Sequence, residues 1–312
     1  MILINEIIGR FFYRYCFRGT LIEYNSISLI FYIAKLKMKK TILMLIKNGF
    51  FIGLFLCVAG ACSTVPITNR QSLQLVSNSE IMAMSMEQYN QVLKQEKLSI
   101  NQGYVDMVRR VGLRIASAAE TFLSENGFGN EIASYKWEFN VVDDDKTANA
   151  WAMPGGKVAV YSGILKYTQN DAGLAVVMGH EVAHVLANHS NERMSQALLA
   201  SIGSSALSVA LSNSSEDVAS AAMLAFGVGA NVGILLPYSR LHESEADKIG
   251  MILMAKAGYD PTEALHFWQR MRSSNKSELP AFLSTHPDDD KRINDIQKHI
   301  PEAIRHYNRK TN

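Results

Sequence analysis

Residues 171–189 read Asp171-Ala-Gly-Leu-Ala-Val-Val-Met-Gly-His-Glu-Val-Ala-His-Val-Leu-Ala-Asn-His189, and the architecture turns on this stretch. Leu174, Val177, Met178, Val182, Val185 and Leu186 form the broad apolar face of a buried helix. Asp171 is the expected N-cap. Gly179 is a weak helix former whose missing side chain allows close approach to a neighbouring backbone. His180 and His184 lie four apart, so on a helix they share a face, with Cβ atoms about 5–6 Å apart. Two imidazoles so placed can reach one Zn²⁺ ion. Glu181 falls beside the metal, where a carboxylate can take a proton from water.

A catalytic zinc site needs a third protein ligand and an open position. A histidine ten residues after His180 would serve, but position 190 is Ser. His189, five residues after His184, is expected to point elsewhere and to be structural. Downstream, Tyr238-Ser-Arg-Leu-His-Glu-Ser-Glu-Ala-Asp-Lys-Ile-Gly250 places Glu243 and Asp247 on one helix face. A carboxylate suits zinc as third ligand. A second, one turn on, can accept the free ring N–H of a ligating histidine and fix its tautomer. The same pair also suits a solvated acidic face. Glu245 points off that face and reads as solvated. Arg240 is placed to pair with a carboxylate near the site or to cover the helix start.

The pair His180-Glu-Val-Ala-His184 and Glu243-Ser-Glu-Ala-Asp247 resembles the HtpX and CAAX-prenyl-protease family of zinc metallopeptidases, of gluzincin type. Asn149-Ala-Trp-Ala-Met-Pro-Gly-Gly-Lys-Val-Ala-Val-Tyr-Ser-Gly-Ile-Leu165 and Ser284-Thr-His-Pro287, followed by Arg292-Ile293, extend the resemblance over about residues 62–300. The start at Cys62-Ser-Thr-Val-Pro-Ile-Thr68 is similar to a bacterial periplasmic lipoprotein branch. The resemblance implies Glu243 as third zinc ligand and Asp247 as partner to a ligating histidine. It also implies one Zn²⁺ per chain and cleavage of protein or peptide substrates. The fold it implies is α+β: a mostly helical zincin-type metallopeptidase with a small β-sheet and a long active-site helix.

Lys157–Tyr161, bounded by glycines, reads as a strand, with its partner within Tyr135–Val142. An exposed edge of that strand beside the zinc can pair with an extended substrate. Ala150 or Trp151 is the candidate to offer an accepting carbonyl to the substrate. His286 precedes Pro287, which holds its backbone extended. The resemblance brings His286 to the active site, where it can donate to the tetrahedral oxyanion or fill the fourth zinc position and silence the enzyme. The alternative is a capping histidine in a turn.

From Met38 the chain shows a basic start (Lys39, Lys40, Lys47), a short apolar run (50–61) and small residues before Cys62, the grammar of a secretory signal. Ala59-Gly60-Ala61-Cys62 resembles a bacterial lipobox, with Ala at its usual Leu position. The expected organisation is a doubtful upstream extension (1–37), a lipoprotein signal peptide (38–61) and a metallopeptidase domain (62–312) with Cys62 lipidated. Ser63 fits outer-membrane sorting, so the expected place is a bacterial envelope, lipid-anchored and facing the periplasm.

The chain carries 31 Lys+Arg against 29 Asp+Glu. Removing residues 1–61 leaves 23 against 27, a net charge of −4. No basic tract suits nucleic acid. The cysteines Cys16, Cys57 and Cys62 all precede the catalytic region, which argues against a cysteine nucleophile. Residues 79–98 and 101–123 read as helices, the first with a core stripe of Met82, Met86, Tyr89 and Leu93. Asp143-Asp-Asp145 is an acidic, solvated turn. Residues 261–274 and 288–299 also read as helices. Two apolar stretches, 195–212 and 217–236, suggest a helical hairpin, packed on the catalytic domain, dipping into lipid or gating the cleft. The partners expected are protein substrates, a membrane and envelope assembly machinery. The rival function is a chaperone-like or latent lipoprotein with an inactive zinc site.

Overall fold

In a computed structural model the structure describes residues 62–66, 68–231, 235–273, 280–287 and 290–308. These belong to one compact unit, Ala61–Asn312. The expectations for the upstream extension and the signal peptide lie outside the described residues.

In chain order the elements are β1 (Cys62–Thr64), β2 (Gln71–Leu73), α1 (Asn78–Gln95), α2 (Gln102–Glu125), β3 (Glu138–Val142), β4 (Ala150–Met153) and β5 (Lys157–Tyr161). Then follow α3 (Leu165–Thr168), α4 (Asp171–Leu186), α5 (His189–Ala210), α6 (Glu216–Ala230), α7 (Leu236–Lys256), α8 (Glu263–Ser273), α9 (Ala281–Thr285) and α10 (Asp290–Asn308). The fold is α+β and mostly helical, as expected from the sequence.

Helix α4 is the axis of the core, with every residue from Gly173 to Leu186 buried. Its cap is Asn170, not Asp171: the Asn170 side chain accepts the Gly173 N–H at 2.9 Å. Asp171 lies in the first turn, where its charge suits the helix dipole, and it pairs with Arg110 at 2.7 Å. Helix α7 packs along α4 where two glycines meet. A Cβ on Gly179 would stand 2.8 Å from the Gly250 carbonyl oxygen, and one on Gly250 2.8 Å from the His180 nitrogen. That close approach brings the Glu243–Asp247 turn of α7 against His180. Helices α8 and α10 close the other flank, with Phe267, Trp268 and Phe282 buried beside them.

The three-stranded sheet has the order β3-β5-β4, with β3 parallel and β4 antiparallel to β5. Strand β5 is therefore central and has no free edge; the edge expected on Lys157–Tyr161 belongs to β4. Strands alternate the direction of their peptide groups. Tyr161 N–H bonds to the Asn149 carbonyl and Gly156 N–H to the Met153 carbonyl, so 149, 151 and 153 face β5. Ala150 and Ala152 thus turn their backbone groups outward, as Ala148 does in accepting the Phe282 N–H at 2.8 Å.

Helix α1 is closed by a Ser77–Glu80 capping box, and Ile81, Ser85 and Tyr89 form its buried face. Met86 is 42% exposed, so the expected methionine stripe is rotated one position towards solvent. The acidic turn is locally tied: Asp143 pairs with Lys97, Asp144 accepts from Lys146 N–H and Asp145 accepts from Ser162. The two apolar stretches form α5 and α6. Only the start of α5 is buried, through Ser195 and Gln196, and no described residue of α6 is buried. The two helices meet where Phe226 packs over Gly203. Leu198, Ile202, Val209, Leu224 and Val228 remain exposed. Among the described residues no helix is long and apolar enough to cross a membrane.

Candidate metal centre and active site

Four side chains from three segments converge: His180 and His184 from α4, Glu243 from α7, and His286, which caps the end of α9. One ligand atom from each lies within 4.8 Å of all the others. His180 Nε2 is 3.0 Å from His184 Nε2 and 3.1 Å from His286 Nδ1. Glu243 oxygens stand 3.3 Å from His180 Nε2, 3.4 Å from His184 Nε2 and 3.0 Å from His286 Nδ1. Ligands at zinc's usual 2.0–2.1 Å, set tetrahedrally, would be about 3.3 Å apart. The donor set therefore fits zinc in type and in spacing. The His286 backbone N–H caps α9 by bonding to the Phe282 carbonyl at 2.8 Å, while its ring enters the cluster.

Glu181 is buried on the other side of His286, with Oε1 3.1 Å from His286 Nε2. That oxygen makes no hydrogen bond among the described residues. Burial raises the Glu181 carboxyl, against the lowering influence of His286, His180 and the Ala152 backbone N–H. A buried carboxylate with a raised pKa suits a general base. Its contact with the Ala152 backbone also places the outward edge of β4 beside Glu181.

The α4 rings are held from behind. Asp247 takes the Nδ1 side of His180 at 2.9 Å. Arg292 grips Asp247 with two bonds of 2.8 Å, stacks over Trp268 and donates to the His286 and Pro287 carbonyls. Burial opposes charge on Asp247, yet Arg292 and His180 hold its pKa down. Burial likewise works against a charged His180, but Asp247 and Glu243 outweigh it and hold the metal-free ring up at about 9. His184 is shifted the other way, by burial and by His180. Arg240 lines a cavity of about 370 Å³ beside Glu243 and Asp247. The ion pairs to those carboxylates come from Arg292.

Two sequence readings change here. His189 does not point away: its Nδ1 lies 2.7 Å from His184 Nδ1. The reason is Asn188, whose left-handed backbone (φ 55°) ends α4 and redirects the chain into α5. Glu245 is not solvated: it is buried and accepts from His189 at 3.0 Å, from Thr68 and from Arg70. Sequence reasoning did not single out Arg70 or give Arg292 a role. The Arg292-Ile293 match within the family pattern was the available signal for the second.

A sequence model of peptidase family M48 matches residues 110–300. The chain belongs to that family. Mitochondrial metalloendopeptidase OMA1 of Schizosaccharomyces pombe is 35% identical over 243 residues, covering 77% of this chain and 66% of the relative. The human mitochondrial metalloendopeptidase OMA1 is 29% identical over 251 residues, 77% of this chain and 46% of the relative. The beta-barrel assembly-enhancing protease of Yersinia pestis is 31% identical over 176 residues, 54% of this chain and 36% of the relative. The chain thus spans from about a third to just under two thirds of the length of these relatives.

Proposed function

We propose that the chain is a zinc-dependent endopeptidase, with His180, His184 and Glu243 holding the metal and Glu181 as general base. The observation that carries this reading is the convergence of three zinc-type donors at ligand spacing with the buried Glu181 carboxylate beside them. When bound, zinc supplies Lewis-acid polarisation of a water and of the scissile carbonyl. Glu181 accepts the proton of the attacking water and delivers it to the leaving amine. Asp247, clamped by Arg292, keeps the His180 ring turned with Nε2 inward. The outward peptide groups of Ala150 and Ala152 offer an extended segment a strand to pair with, ending at Glu181. That favours unfolded or unassembled protein over folded substrates.

His286 is proposed to occupy the fourth position at rest, because its Nδ1 sits among the ligand atoms. With substrate present its ring lies within reach of the oxyanion. For placement, the basic and apolar leader and Ala59-Gly60-Ala61-Cys62 support a bacterial lipoprotein of the envelope, anchored through Cys62. The Yersinia relative, named for β-barrel assembly, supports an envelope quality-control role and contact with assembly machinery. The fungal and human relatives support instead a mitochondrial setting, with the same chemistry. Fatty-acid labelling that is lost in Cys62→Ser separates the two settings.

The deciding experiment is cleavage of an unfolded protein by the purified full chain beside Glu181→Gln, with chelator and zinc add-back. Zinc-restorable cleavage that falls by about 10²–10⁴ in Glu181→Gln is the expected result. A folded, zinc-loaded chain that binds but never cleaves would favour the chaperone-like or latent reading.

A further inference from the structure

The two histidines of α4 are supported by different routes. His180 meets a carboxylate directly, Asp247, and that carboxylate is clamped by an arginine, Arg292. Behind His184 the same sequence recurs with one ring inserted. His184 Nδ1 meets His189 Nδ1 at 2.7 Å, His189 Nε2 meets Glu245 at 3.0 Å, and Arg70 reaches Glu245 through Nε at 3.0 Å and Nη2 at 2.8 Å. Each link fixes the next. Ionised Glu245 only accepts, so His189 carries its proton on Nε2 and leaves Nδ1 as acceptor. His184 must then donate from Nδ1, which leaves its Nε2 lone pair directed at Glu243 and His180.

Arg70 does not belong to the helical body. It lies between β1 and β2, in the turn where its carbonyl accepts from Val65 N–H at 2.8 Å. Its other arm holds Glu192 of α5 with two bonds of 2.8 Å, and Glu192 in turn meets His242, which stacks on His189 at 4.2 Å between ring centroids. Arg70 is thus the cation shared by two buried carboxylates, one of which leads to a metal ligand. The segment after β2 is pinned as well, by Leu75 N–H to Ser195 and by Asn191 to the Val76 carbonyl.

We propose that Arg70 is a positioning residue for the metal centre: through Glu245 and His189 it sets the orientation and tautomer of His184 and couples the β1–β2 hairpin to zinc retention. The proposal rests on the zinc-site reading above and adds a residue that touches neither metal nor substrate. Glu245 accepts from His189, Thr68 and Arg70 at once, the pattern of an ionised carboxylate.

The test uses the zinc-loaded full chain and follows zinc release to a chromogenic chelator. It adds the visible spectrum of the cobalt-substituted protein and the melting temperature of the metal-free one. Arg70→Met and Glu245→Gln are expected to release zinc about 10- to 100-fold faster, the usual effect of removing a partner behind a ligand, and to shift the cobalt bands. Glu192→Gln weakens the other arm, which reaches His189 only through the stacked ring of His242. It is expected to lower the melting temperature and to change release and spectrum clearly less than Glu245→Gln does. Arg70→Lys keeps the charge but cannot fork to both carboxylates, so an intermediate release rate is expected. Wild-type release and spectrum in Arg70→Met, or equal acceleration by Glu192→Gln and Glu245→Gln, would overturn the proposal and leave Arg70 a fold-stabilising cation. If Arg70→Met does not fold, Arg70→Lys and Glu245→Gln make the same comparison. A wild-type chain that takes up no zinc would overturn the zinc-site reading itself, before any variant is compared.

Discussion

Gly179 and Gly250 meet backbone to backbone, next to the proposed zinc ligand His180 and one turn from Asp247. A methyl group on Gly250 would stand 2.8 Å from the His180 nitrogen and 3.0 Å from the Gly179 carbonyl carbon. Neither neighbour is a side-chain end that can swing aside. Alanine gains about 1 kcal/mol of helix propensity over glycine. Overpacking a close-packed contact costs about 1–3 kcal/mol. Gly250→Ala is therefore expected to lower the melting temperature and, by separating α4 from α7, to weaken zinc binding. Denaturation with and without zinc checks both.

Zinc uptake by the metal-free chain should release a proton. Hydrogen bonds to Asp247 and Glu243 overcome burial and hold the His180 ring protonated up to about pH 9, whereas a zinc ligand must be neutral. Affinity is therefore expected to climb as pH rises towards 9. Calorimetry of zinc binding at pH 7.5 in buffers of different ionisation enthalpy reads the proton directly; buffer-independent heats would contradict it.

Acid should unfold the network behind His184 in two stages. Burial, more than its neighbours, depresses His189 from 6.5 to about 4. Glu192 and Glu245 fall from 4.5 to about 2, as His242, His189 and Arg70 outweigh burial. In each case the unfolded chain binds the proton first, so stability rises with pH across the interval. The His189 contribution is full above about pH 6.5 and lost as pH falls towards 4. The carboxylate contributions are full above 4.5 and lost towards 2. Equilibrium denaturation of the metal-free chain against pH should show both intervals. His189→Gln should remove the upper one and leave the lower.

The sequence made the active-site helix, the Glu243–Asp247 turn and most helix positions legible because these follow local periodicity and ligand spacing. The buried support of the site was not legible. Whether His189 faces His184 depends on Asn188 adopting a left-handed backbone, which no local pattern requires. Glu245 looks solvated on its own helix because its partner, Arg70, is 175 residues away. The edge strand was misassigned for a similar reason: β5 is apolar and bounded by glycines, and only pairing on both sides shows it to be central. Charged residues buried by distant partners leave no periodic signature.

His286 is the side chain whose removal distinguishes a resting ligand from a donor to the oxyanion. Its Nδ1 lies 3.0–3.1 Å from Glu243 and His180, while its Nε2 lies 3.1 Å from Glu181. A site closed by four protein ligands has no room for the attacking water, whereas three ligands leave the open position catalysis needs. His286→Ala leaves His180, His184 and Glu243 in place. The expected outcome is retained zinc with faster cleavage of an unfolded protein and a metal centre more readily exchanged. Loss of a donor to the oxyanion would act in the opposite direction, lowering kcat by about 10²–10³ with zinc still bound. Zinc content and kcat measured on the same preparation therefore assign the residue, and Phe282, whose ring lies 4.6 Å from that of His286, offers the control. Phe282→Leu keeps both nitrogens but loosens the wall behind them, so it should move kcat in the same direction as His286→Ala and by less.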